Sequence, residues 1–241
     1  RNNTDNRSGG RKLYEVLVFT APLSDADRVA IEDYLLRKWF NAKAVVNGVP
    51  KTSIQEALDA AEDGDYTTVH TLVEPTAQEI PEGWVWKNGS FYPMIAKVGQ
   101  RSYASIEDAV ASLQEGETIV EVVVKATSFV KAPADAAYTI KYTAGAGSDS
   151  EDGSAGVALD HSAGKITLAG STPYYLKGEW ATYGNPTITF DSATVYYKGT
   201  GDNGTFGVST ATYVIQGDSR VEANRFILSQ GGGSRMANVT I

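Results

Sequence analysis

The sequence predicts a mainly β protein with a few α-helices. Two observations predict it. A segment recurs in the middle of the chain at a fixed offset, each copy carrying one short amphipathic helix between strands. The later part of the chain is rich in Gly, Thr, Ser and Tyr, with short apolar runs separated by turn residues, the composition of strands joined by turns. Strands at that spacing build a sandwich, a barrel or a solenoid.

Composition narrows the function classes. The chain has 241 residues, a net charge of -8 and no cysteine. Disulfides, zinc-thiolate sites, iron–sulfur clusters and cysteine nucleophiles are therefore excluded. The acidic balance argues against nucleic-acid binding, and no apolar run reaches the roughly 20 residues that span a bilayer. Up to Lys125 there are 13 basic and 19 acidic residues, against 8 and 10 afterwards, while glycine rises from 8 to 16. Helices and charged faces are thus expected early, strands and turns late. The first residue is Arg1 and the last six alternate like a strand, so the chain is expected to be part of a longer one.

Leu13–Phe19 is an apolar run that reads as a strand, ended by Pro22. Ser24 lies three residues before Asp27, a capping-box variant, and starts a helix from Asp25 to about Trp39. Ile31, Tyr34, Leu35 and Trp39 share one face, with acids first and Arg37-Lys38 last, which suits the helix dipole. The run Tyr14-Glu15-Val16-Leu17-Val18-Phe19, then Leu23–Arg28, Ile31–Leu35 and Lys38-Trp39, resembles the end of a concanavalin A-like jelly roll of the laminin-G-like group. The resemblance implies that residues 1–41 are the last strand and closing helix of such a domain. No binding residue of that family falls on this stretch.

Ser53–Asp65 recurs as Ser105–Glu117, an offset of 52 residues without gaps. In each copy a serine caps the helix with an acid three residues on, Glu56 or Asp108. Ile54, Ala57, Leu58 and Ala61 form one apolar face, matched by Ile106, Ala109, Val110 and Leu113. Gly64 or Gly116 is expected to end the helix in the left-handed conformation, before a strand, Thr67–Val73 or Thr118–Val124. The unit resembles the helical entry to right-handed parallel β-helices, where a helix covers the open end of the solenoid, and a module found in tandem in bacterial surface proteins.

Between the copies, Asn88-Gly89 is a type I′ hairpin signal. It sets Trp86 opposite Phe91 with Trp84 on the same side. Three aromatics on one side either stack on a sugar ring or pack on the neighbouring helix. Trp84, Trp86 and Phe91 are the candidate ligand-binding residues.

Strands are expected at Tyr138–Tyr142, Lys165–Leu168, Tyr174–Leu176, Thr187–Phe190, Thr194–Tyr197, Thr212–Ile215, Arg225–Leu228 and Ala237–Ile241. Ser219–Gly232 resembles the strand repeats of autotransporter passenger regions. With the helical entry before it, the resemblance implies a β-solenoid, a right-handed parallel β-helix. The expected domains are 1–41, the jelly-roll edge; 42–95, a first α/β unit with the Trp-rich hairpin; 96–125, a second unit forming the helical cap; and 126–241, solenoid.

Catalytic machinery is not legible. Gly145–Gly156, with Asp149, Glu151 and Asp152, departs from EF-hand spacing and reads as a solvated loop. Asp160-His161-Ser162 are sequence neighbours, which does not build a triad. No catalytic residue, metal ligand or cofactor is assigned. The resemblances imply a non-enzymatic structural or adhesive segment of an exported bacterial surface protein, at the cell surface or outside the cell. It would display a binding domain on a solenoid stalk, with a glycan or another surface ligand as partner, without nucleic acid and without inserting in the membrane itself. The alternatives are a fragment of a β-helix polysaccharide lyase or glycoside hydrolase, and a carbohydrate-binding module.

Overall fold

The computed structural model describes residues 14–159, 162–178, 184–207, 211–227 and 238–241. Leu13, His161, Leu228 and residues 229–232, to which the sequence assigned roles, lie outside them. The chain divides into two compact units between Tyr92 and Pro93, a single division where the sequence suggested boundaries at 41, 95 and 125.

Unit 1 opens with helix α1 (Asp25–Phe40), where the Ser24 hydroxyl accepts from the Asp27 N–H at 3.1 Å. The Ser24 hydroxyl in turn donates to the Asp27 carboxylate, so the acid closes the cap on the side chain, not on the backbone. Asn41 ends the helix in the left-handed conformation. The expected strand before it is not formed over 14–19: a strand exists only through a hydrogen-bonded neighbour, and none of the described residues supplies one. Tyr14 instead packs on the rings of Trp39 and Phe40, at 5.6 and 5.5 Å. Glu15 accepts from Trp39 Nε1 and Lys38 Nζ, at 2.9 and 3.0 Å. The apolar face of α1 has no buried residue.

The two repeats fold alike. In unit 1, β1 (Ala44–Val46) pairs antiparallel with β2 (Val49–Lys51), helix α2 (Ile54–Asp59) comes next, and β3 (Val69–Thr71) returns along the other side of β1. Unit 2 repeats this with β6 (Ala96–Val98), β7 (Arg101–Tyr103), α3 (Ile106–Ala111) and β8 (Ile119–Val122). Equivalent positions share burial: Ala44 and Ala96, Ala57 and Ala109, Val69 and Val120 are all fully buried. Ser53 and Ser105 cap their helices, accepting from Glu56 N and Asp108 N at 3.1 Å each. Each helix ends earlier than expected, at Asp59 or Ala111. Gly64 and Gly116 do have positive φ, but they shape the turn beyond the helix. Replacing either serine by alanine is expected to cost about 1 kcal/mol, read as a lowered urea midpoint of that unit alone.

After β3 and β8 the two units diverge. In unit 1 the hairpin β4 (Trp84–Lys87) and β5 (Ser90–Pro93) closes the free edge of β3, with β5 antiparallel to it. Asn88 and Gly89 have φ of 52° and 84°, both positive as a type I′ turn requires. In unit 2 the same edge, on β8, is extended in parallel by β9 (Thr139–Tyr142), and a β-solenoid of about four turns begins.

Its strands are β10 (Val157–Ala158), β11 (Lys165–Ala169), β12 (Tyr174–Lys177), β13 (Thr187–Asp191), β14 (Thr194–Tyr197), β15 (Thr205–Phe206), β16 (Thr212–Gln216), β17 (Arg220–Ala223), β18 (Arg225–Phe226) and β19 (Asn238–Thr240). The longest sheet stacks β8, β9, β11, β13, β16 and β19 in parallel; a second stacks β10, β12, β14 and β17; β15 and β18 form a third. Register puts like on like: Val120, Ile140, Ile166, Ile188 and Tyr213 form one interior ladder, and Val122, Tyr142, Leu168 and Phe190 another. All nine are 2% exposed or less. Buried hydroxyls are satisfied. Tyr174 donates to the carbonyls of Tyr142 and Ala169 at 2.7 Å, and its phenol is pushed up to about 12 by burial.

Candidate functional site

Trp84, Trp86 and Phe91 come together on one side of the hairpin, against the core formed by Ile54, Ala57, Leu58 and Val69. Phe91 is 0% exposed, so it has no face to offer a ligand. Trp84 meets Tyr66 edge-on at 5.2 Å, and Trp86 Nε1 donates to Thr71 Oγ1 at 2.7 Å. Both tryptophans are half-buried by these contacts. Cross-strand aromatics gain most by covering the nearest apolar surface, here α2 and β3, so the trio packs inward.

An aromatic surface that no sequence motif marked lies on the solenoid. On the second sheet Tyr174, Val195 and Val221 align inward, so the next residues, Tyr175, Tyr196 and Glu222, align outward. The Tyr175 and Tyr196 rings stack at 5.3 Å and 16°. On the preceding rung Ala146 precedes Gly147, whose φ is 63°; a Cβ there would stand 2.6 Å from the Tyr175 carbonyl. Glycine is required at that position, and the row of side chains stops above Tyr175.

A cleft of about 370 Å³ adjoins this stack, with Tyr196, Lys198, Glu222, Asn224 and Phe226 among its walls. Lys198 Nζ lies 5.2 Å from the centre of the Tyr196 ring and 3.5 Å from Asp149 Oδ1. Glu222 pairs with Arg220, and the Asn224 amide donates to the Gly199 carbonyl. Phe226 meets Phe206 edge-on, yet is 58% exposed. A second cleft of about 470 Å³ lies on the earlier rungs, bordered by Lys125, Thr127, Gly147 and Ser148.

The carboxylates that shift are all held below their usual range by hydrogen bonds. For Glu15 the main cause is Trp39, for Glu56 the Thr52 hydroxyl, for Glu79 the Thr76 amide and for Glu117 the Gln114 amide. Asp152 is lowered to about 2, chiefly by the Ser150 hydroxyl and then by Ser154. A general acid needs the opposite, a carboxyl raised by burial. Among the described residues no three His, Asp or Glu side chains converge as a metal set would, and no helix is long and apolar enough to cross a membrane.

No signal in the sequence alone marked the cleft, because Tyr196, Glu222 and Phe226 meet only through rung stacking. Comparison with family models, with curated proteins and with solved structures found no match to this chain.

Proposed function

We propose that this chain is a non-enzymatic structural and adhesive segment of an exported bacterial surface protein, with the solenoid serving as a display scaffold. The observation that carries this reading is the parallel, in-register stack from β8 to β19. Each rung satisfies the edge of the one before it, so the array is stiffened by backbone hydrogen bonds along its whole length. The downward-shifted carboxylates support the non-enzymatic part. The bacterial and exported parts rest on the likeness of Ser219–Gly232 to passenger repeats and of the Ser53 and Ser105 units to surface modules.

The test has two arms. Antibodies raised against the purified chain are expected to label intact cells of the source organism, and labelling only after lysis would overturn surface display. The purified chain, with and without calcium, is expected to release no reducing or unsaturated ends from a series of polysaccharides. Sustained release would replace this reading with the β-helix lyase or glycoside hydrolase alternative.

A further inference from the structure

We propose that the outer face of the second solenoid sheet, centred on the cleft at Tyr196 and Phe226, binds a linear, uncharged oligosaccharide lying along the stacking direction. The proposal rests on the display reading above and adds a ligand class and a site to it.

Three observations point to that chemistry. The first is aromatic area where a soluble protein has reason to hide it. Phe226 leaves 58% of its surface in water beside a cleft, although it sits next to the buried ring of Phe206. The half-buried Tyr196 forms another part of the same wall. Aromatic rings of this kind offer a flat apolar area at low entropic cost, and the C–H faces of a pyranose match it.

The second is the sign of the walls. Lys198 stands over Tyr196, and Glu222 is the residue opposite Tyr196 on the next strand. Their opposite charges stand in one cleft of about 370 Å³, together with the Asn224 amide, whose nitrogen is already used and whose oxygen remains to accept. A strongly anionic ligand meets Glu222 and a cationic one meets Lys198, each at a cost. A neutral ligand dense in hydroxyl groups uses both, donating to Glu222 and Asn224 and accepting from Lys198. The net charge of -8 disfavours a polyanion further.

The third is direction. Tyr175 stacks on Tyr196 one rung away, and beyond Tyr175 the row ends at Gly147, on the border of the second cleft. The rungs of Ala126, Ala146, Tyr174, Val195 and Val221 are consecutive in this sheet. Four strand spacings of roughly 4.8 Å give a face of about 19 Å, long enough for several sugar units in line.

The experiment uses the purified chain and uncharged hexasaccharides as probes: cello-, xylo-, manno-, laminari- and chitohexaose, with polygalacturonate as an acidic comparator. Binding is followed by calorimetry and by NMR shifts of the tyrosine rings. At least one neutral hexaose is expected to bind, more tightly than its trisaccharide. Tyr196→Thr keeps a strand-forming residue and is expected to weaken binding about tenfold or more. Phe226→Ala, at an exposed position, checks the same wall without depending on the sheet. Hydrogen exchange of the β12, β14 and β17 amides reports whether each variant keeps the fold.

Preference for polygalacturonate over every neutral probe would overturn the ligand class. Failure of all probes, or undiminished binding by both variants with the fold intact, would overturn the site and leave the display reading standing. Binding followed by cleavage of the probe would do the reverse, supporting the site and removing display.

Discussion

Replacing Phe91 by alanine is expected to open unit 1 along one edge. Phe91 is 0% exposed and anchors the hairpin in the core of Ile54, Leu58 and Val69. Truncating a buried phenylalanine costs about 3–5 kcal/mol, from lost apolar transfer and the cavity left behind. Backbone pairing to β3 is thin: one registered pair, His70 with Ser90, and the Thr71 N–H to the Gly89 carbonyl at 2.8 Å. Without Phe91 the hairpin keeps Trp84, Trp86 and these few bonds, and β3 loses its cover. The Thr71 amide is expected to lose hydrogen-exchange protection first, ahead of the amides that join β1 to β2. Self-association is expected as well, because the uncovered edge is the one that β8 uses in unit 2 to accept a parallel strand. Exchange kinetics and sedimentation velocity read both effects. Native-like protection at Thr71, with a monomeric variant, would show that the hairpin is not an edge closure.

Phe206→Ala is expected to produce the largest loss in the solenoid. Phe206 is 2% exposed and touches four other rings, Tyr213 at 4.5 Å, Phe226 at 5.5 Å, Tyr197 at 5.6 Å and Phe190 at 6.2 Å. These rings come from β13, β14, β15, β16 and β18, so one side chain ties several rungs together. A loss of about 3–5 kcal/mol is expected. It should appear as faster exchange across 187–197 and 212–216, while amides of unit 1 keep their rates. Loss spread equally over unit 1 would contradict the division of the chain at Tyr92 and Pro93. Since stability in a solenoid is built from neighbouring rungs, exchange near β8 and β9 should change least within unit 2.

Local chemistry was legible in the sequence. Ser24, Ser53 and Ser105 cap the helices assigned to them, because a capping hydroxyl needs only the amide three residues away. Asn88-Gly89 makes its hairpin, because both residues tolerate positive φ. The 52-residue offset translates into two units of equal topology. Thr194–Tyr197 is a strand at the expected boundaries, and its alternating burial matches the side-chain period of two. The strands at 157–158 and 205–206 were not legible. Two residues carry no pattern of their own and count as strand only beside Leu176-Lys177 and Arg225-Phe226.

The rungs also hide their period. Ile140 to Ile166 is 26 residues, Ile166 to Ile188 is 22 and Ile188 to Tyr213 is 25, so loops of unequal length separate residues that stack directly. By itself the sequence determined where helices start, where the chain turns and which residue types face inward, since these depend on neighbours within about four positions. Only the tertiary structure decided which partner each strand edge takes. β3 and β8 come after equivalent helices, yet one accepts an antiparallel hairpin anchored by Phe91 and the other a parallel rung. It also decided that Phe91 is core while Tyr196 and Phe226 border a cleft, because burial depends on what stacks beside a residue, and that partner lies 20 or more residues away in the chain.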